Sequence, residues 1–207
     1  MKLYQHDQSP NCLRVRAVAF ELGIELEFIA VDLRATSSNS ELLALNSNGK
    51  VPVLVDGDFV LWESRAINAY LASQRPERKL YPESVRTRAL IDQWSLWQAI
   101  HLGPAMQKVA FERLAKPRFG MGPTDEAAAA ASHKESLRFL GVLEPQLAKR
   151  SWVVDELSLA DFAMASTFMY RQPAGISLDD FPGVAAWIAR VEALASWQRA
   201  TAPLVTY

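Results

Sequence analysis

Residues Gln8-Ser9-Pro10-Asn11-Cys12 bring a hydroxyl, an amide and a thiol together where a short apolar run gives way to a helix-like one. A dithiol redox site would need two cysteines spaced C-x-x-C here. The chain has a single cysteine, Cys12, and Ser9 stands where the other would be. An internal dithiol–disulfide cycle is therefore excluded. Ser9 and Asn11 remain as hydrogen-bond donors beside a predicted helix N-terminus.

Three further groups of residues have chemical potential. Lys50-Val51-Pro52 opens an apolar run, and Pro52 cannot donate a ladder hydrogen bond. Glu63-Ser64 sets a carboxylate beside a hydroxyl at a predicted helix start. Trp94, Trp97 and His101 fall at i, i+3 and i+7, on one helix face, where core packing and pocket lining are both open readings. His6, His101, His133 and Cys12 show no metal-ligand spacing, so no metal is expected.

These groups need elements to position them. Residues 2–5 read as a strand, followed by Ser9 as N-cap and Pro10 at N1 of a helix. Val15, Val18, Ala19 and Leu22 recur at helical spacing, and Gly23 suits the C′ position. Residues 25–31 alternate as a strand does, completing a βαβ crossover. Residues 51–63 hold two strand-like runs around Asp56-Gly57-Asp58, a hairpin signal, and Ser64 can start the next helix. The order is β-α-β, a segment, then β-β-α.

Residues 73–84 are polar, contain two prolines and lack periodicity. Beyond them, 85–115, 125–149, 159–171 and 182–199 all read helical, with a long loop at 115–125. The division is an α/β domain over 1–76, a linker over 77–85 and an all-helical domain over 86–207. Ser158-x-x-Asp161 is an acidic capping box, with Leu157 and Phe162 placed as a hydrophobic staple; it reads as a folding device.

The 207 residues are 50% hydrophobic and 22% charged, an ordinary globular composition. Net charge is −1, which offers no basic surface for nucleic acid or acidic lipid. A single cysteine fits a reducing compartment. The start "MKLYQHDQSP" lacks the apolar segment of a signal peptide, and no run approaches the ~18 residues of a membrane span. The expectation is a cytoplasmic protein with no membrane or nucleic-acid partner.

Taken together, a βαβ-ββα domain followed by a helical one, a Ser opening the first helix, "NGKVPVL", "ESRAI" and "SLAD" resemble the cytosolic glutathione S-transferases. The resemblance covers nearly the whole chain. It implies a thioredoxin-like N-terminal domain, glutathione as cosubstrate, a small hydrophobic electrophile as second substrate, a homodimer and a detoxification role. "Ser-Pro-Asn" is similar both to serine-type members and to a bacterial subgroup with Thr-Pro-Asn.

The resemblance assigns Ser9 first and Asn11 second to the glutathione sulfur. A free thiol has a pKa of about 8.5, and lowering it two units needs about 2.7 kcal/mol favouring the anion. A helix N-terminus supplies about 0.3–1 kcal/mol. A hydrogen bond to a charged group adds about 1.5–3 kcal/mol, so the donor outweighs the dipole. A cis bond before Pro52 is implied, with Val51 pairing the ligand's backbone as an added strand. Lys50 would meet the glycine carboxylate, and Glu63 and Ser64 the γ-glutamyl ammonium and carboxylate. Many relatives carry His or Gln near the second helix; here Ser37 and Asn39 stand in that region. Trp94, Trp97 and His101 are candidates for the second-substrate pocket. Cys12 has three readings: a small buried residue, a mixed disulfide with glutathione, or direct catalysis.

Rival functions are a glutathione-dependent disulfide or peroxide reductase of the same fold and a non-catalytic interaction module. Decayed modules usually lose the Glu-Ser pair or the activating residue, and both are present here. A glutathione-dependent isomerase would favour a different serine-cysteine stretch after the first strand.

Overall fold

A computed structural model describes residues 1–32, 34 and 39–204. The chain divides into two compact units, Met1–Glu83 with Glu192–Tyr207, and Ser84–Val191.

In the first unit, β1 (Lys2–Gln5) leads into α1 (Pro10–Leu22), then β2 (Glu27–Ala30), α2 (Ser40–Leu45), β3 (Val53–Asp56), β4 (Phe59–Trp62) and α3 (Ser64–Ser73). The sheet order is β2-β1-β3-β4, with β1 parallel to β2 and antiparallel to β3, and β3 antiparallel to β4. This is the expected thioredoxin-like arrangement, with α2 in the segment between β2 and β3. Asn39 caps α2, its Oδ1 accepting from the Leu42 N–H at 2.9 Å. Gly23 ends α1 in the left-handed conformation, where a Cβ would be disfavoured.

Helix α1 is buried almost all round, including Arg14 and Arg16. One flank packs on α3 and another on α10 (Ala195–Thr201), the last helix of the chain. Ser196 Oγ donates to Glu21 at 2.5 Å, and the Arg199 guanidinium lies 4.0 Å from the centre of the Phe20 ring. The predicted helix over 182–199 is two helices, α9 (Pro182–Glu192) and α10, because Leu194 takes an extended backbone between them. Helical periodicity continues across that break, so the sequence pattern does not reveal it.

The second unit is helical. Helix α4 (Val85–Trp97) continues through a π-helical turn at Gln98–Leu102 into α5 (Gly103–Ala110). A second π turn, Phe111–Ala115, leads into the short α6 (Lys116–Arg118). After the loop come α7 (Glu126–Leu147), α8 (Leu159–Ala165), a 3-10 turn at Ser166–Tyr170 and α9. At the start of α8 the fully buried Asp161 accepts from the Ser158 N–H and Oγ–H at 2.9 and 3.1 Å. The same carboxylate accepts from the Val153 N–H at 2.8 Å and the Trp187 indole N–H at 2.9 Å. The box therefore ties α8 to α9 and to the 150s loop.

Candidate glutathione and second-substrate sites

Strand register gathers the first unit's motifs at one end of its sheet. Tyr4 pairs with Val53, and Val53 with Trp62, so these three form a row across β1, β3 and β4. The chain leaves β1 and β4 beyond that row and enters β3 there. The loop to Ser9, the Val51-Pro52 step before β3 and the Glu63-Ser64 step after β4 therefore share this end. The Ser9 loop is remote in sequence from the other two, which flank the β3–β4 hairpin.

Ser9 is the N-cap of α1, with extended backbone, and its Oγ accepts from the Cys12 N–H at 3.3 Å. A hydroxyl has one proton and two lone pairs, so capping uses an acceptor position and leaves the proton to donate. Capping and anion binding by Ser9 are thus compatible. The first turn of α1 holds no acidic side chain, so its positive end is not neutralised from within. Asn11, at the second helical position, is exposed.

Cys12 is fully buried in the cluster formed with Tyr4, Val31, Leu42, Val51 and Val53. Burial pushes its thiol pKa up, against a smaller opposing contribution from the Ser9 hydrogen bond. A neutral, inaccessible thiol is a packing group.

The Val51–Pro52 peptide bond is cis, as the family resemblance implied. Val51 is nearly buried, whereas Lys50 is exposed and its carbonyl accepts from Asn46 Nδ2 at 2.8 Å. Asn39 commits its oxygen to the α2 cap. Ser37 lies outside the described residues.

Glu63 precedes α3 with φ of +72°, in the left-handed region that non-glycine residues rarely occupy. Its side chain is exposed, while Ser64 is buried. Arg14 Nη1 donates to Ser64 Oγ at 3.4 Å, and Asn68 Nδ2 donates to the Arg14 carbonyl at 3.4 Å. Burial holds the Arg14 guanidinium pKa well below its usual range, and nearby Arg65 adds to that shift. Arg14, Arg16 and Asn68 were not singled out in the sequence. Charged residues usually sit outside, and only packing reveals that these arginines are buried.

In the second unit, Trp94, Trp97 and His101 meet in one aromatic cluster with Phe139. Trp94 and Trp97 are edge-to-face at 5.3 Å, Trp97 and Phe139 at 5.8 Å, and His101 lies 5.3 Å from Phe139. The exposed His101 borders a concavity of about 330 Å³ between the α4–α5 segment and α7, walled by Ile100, Pro104, Ala131, Ser132 and Phe139, with Glu135 at its edge. The long loop is anchored through the buried Glu112. Glu112 pairs with Lys108 at 2.7 Å and Lys116 at 2.6 Å, and accepts from the Asp125 N–H at 3.0 Å.

Comparison with known proteins agrees with these two parts. Residues 1–73 match the family model described as glutathione S-transferase, N-terminal domain, and residues 102–195 that of the C-terminal domain. Glutathione S-transferase 3 of Zea mays is 34% identical over 99% of this chain and 94% of its own length. A glutathione S-transferase of Hyoscyamus muticus is 31% identical over 97% of each. The solved structure of glutathione S-transferase I from maize, in complex with an atrazine glutathione conjugate, superposes with a TM-score of 0.87. It is 30% identical, covering 97% of this chain and 95% of the maize chain. These relatives are plant proteins and lend no support to the bacterial subgroup.

Proposed function

The chain belongs to the glutathione S-transferase family, and from that premise we propose how its residues carry out the transferase reaction. It is a glutathione transferase: it binds reduced glutathione and stabilises the thiolate for attack on an electrophile. A carbon–sulfur bond forms, and the leaving group departs with the electron pair. The thiol proton is lost to solvent before attack.

Ser9 donates its hydroxyl proton to the sulfur, with the α1 N-terminus behind it. Asn11 is a second donor beside it. The ligand's backbone pairs with Val51, ahead of Pro52, and Lys50 faces the glycine carboxylate. Asn39 retains an amide N–H₂ for the same end. Glu63 takes the γ-glutamyl ammonium and Ser64 the adjacent carboxylate. Convergence of the Ser9 loop with both ends of the β3–β4 hairpin at one end of the sheet is the observation that supports this assignment.

The concavity bordered by His101 is the proposed seat of a small hydrophobic electrophile; of the three candidates only His101 lines it, while Trp94 and Trp97 belong to the aromatic cluster around Phe139 and His101. The maize relative's complex with an atrazine conjugate is consistent with an apolar, aromatic second substrate. Exposed Phe59 and Trp62 on the edge strand β4 support association into a homodimer. The lone cysteine, buried as a thiol, fits a cytoplasmic protein with a detoxifying role, and among the described residues no helix is long and apolar enough to cross a membrane.

The test is the ultraviolet thiolate absorbance of bound glutathione across pH, for wild type and Ser9→Ala. Wild type should lower the thiol pKa and Ser9→Ala should raise it again. Loss of the effect in Asn11→Ala but not Ser9→Ala would move the donor role to Asn11. No binding at millimolar glutathione would overturn the assignment.

A further inference from the structure

The loop between β1 and Ser9 is only three residues long, and it is clasped from behind by Arg16. That guanidinium is 1% exposed. Its Nε and Nη2 donate to the Ala200 carbonyl at 3.0 and 2.9 Å. Nη2 also reaches the Asp7 carbonyl at 3.2 Å, and Nη1 reaches the His6 carbonyl at 3.3 Å and Gln5 Oε1 at 2.6 Å. The His6 carbonyl is the one that accepts from the Ser9 N–H at 3.0 Å. On the far side, Asp7 Oδ2 accepts from the Leu204 N–H at 3.0 Å.

We propose that Arg16 is a positioning residue for the thiolate site: it ties the His6 and Asp7 carbonyls to that of Ala200, so that the C-terminal helix α10 sets where Ser9 presents its hydroxyl. This rests on the assignment of Ser9 as donor to the glutathione sulfur. Arginine alone fits the task. It is a rigid, donor-only fork able to serve several carbonyls in one plane. Ala200 lies in the last turn of α10, where carbonyls have no intrahelical partner and take an external donor. With one carbonyl shared by Arg16 and the Ser9 N–H, a displaced guanidinium moves Ser9. Hydrogen bonds weaken steeply with misalignment, so a small shift is felt at the sulfur.

Lysine in place of Arg16 keeps the charge and loses the fork. Arg16→Lys should raise the pKa of bound glutathione by about one unit, a tenfold change in the ionisation constant and about threefold less thiolate at pH 7, with a smaller change in affinity. In a Ser9→Ala background the same substitution should add nothing, because the donor it positions is gone. An Arg16→Lys protein that only melts earlier, with the thiol pKa of its folded fraction at the wild-type value, would overturn the proposal. So would an equal shift with and without the Ser9 hydroxyl, which would mean that Arg16 acts on the sulfur by a route other than Ser9. If Arg16→Lys does not fold, Gln5→Leu removes the 2.6 Å anchor of Nη1 without changing charge and is held to the same two outcomes. Failure of wild type itself to lower the thiol pKa is a different result and would remove the Ser9 assignment.

Discussion

Trp187 on α9 donates its indole N–H to Asp161 on α8 at 2.9 Å, and both side chains are fully buried. The carboxylate receives four donors in all, from Val153, Ser158 twice and Trp187. A capping residue thus also joins two helices and a loop. Asp161→Asn would turn an N–H₂ toward a backbone or indole N–H, which can only donate. Leaving a buried donor without its acceptor costs about 1–3 kcal/mol, so urea unfolding should show a loss of that size. A loss under about 1 kcal/mol, the worth of one ordinary hydrogen bond, would show that the network contributes little.

Glu63 combines an unfavourable backbone with a proposed ligand carboxylate. The left-handed region costs a non-glycine residue about 1–2 kcal/mol. Glu63→Gly should therefore stabilise the protein slightly in thermal unfolding while weakening glutathione binding at least about tenfold. Glu63→Gln should weaken binding without the gain in stability. Calorimetry on both variants separates the two effects. Full affinity in Glu63→Gln would remove the ammonium contact.

Glu112 supplies a pH test. Hydrogen bonds from Lys108 first, then Lys116 and the Asp125 N–H, hold its carboxyl down at about 2. The folded pKa lies below the unfolded one, so the stabilisation is present above roughly pH 4.3 and is lost as pH falls toward 2. Wild type should be more stable than Glu112→Gln at pH 7, and the difference should shrink below pH 4. Proteolysis after Arg118 should be faster in the variant, because the loop loses its anchor. A difference in melting temperature that stays constant from pH 7 to 2.5 would contradict the linkage.

Gly103 tests the first π turn. A Cβ there would come 2.5 Å from Gln98 Nε2 and 2.7 Å from the Gln98 carbonyl oxygen, so backbone must shift. Gln98 Nε2 also donates to Thr167 Oγ1 at 2.6 Å. Gly103→Ala should destabilise by about 1–3 kcal/mol, as overpacking does, and change the tryptophan fluorescence of the neighbouring Trp94–Trp97 pair. An alanine variant with unchanged Tm and emission would show that the helix accommodates a side chain there.

Some of this was legible one residue at a time. The Ser9 cap, Gly23 stop, Asp56-Gly57 turn and Ser158–Asp161 box are local devices, each acting within a few positions. Binary pattern distinguished the sheet-bearing half from the helical half, and motif order identified the family. Helix α2 escaped because six residues hold too little periodicity, and the α9–α10 break escaped because two short helices in phase read as one.

Residue type and order alone determined that this chain has no dithiol chemistry of its own and carries Ser9, Glu63 and Ser64 at element starts. Tertiary structure decided what surrounds them. Strand pairing brings Ser9, Val51-Pro52 and Glu63-Ser64 to one end of the sheet, because β1, β3 and β4 fall into register there. Helix packing buries Arg16 and hands it the Ala200 carbonyl, 184 residues along the chain. Capping depends on neighbours in sequence and can be read from them. Burial depends on which distant surface covers a side chain, and that is settled only when the chain has folded.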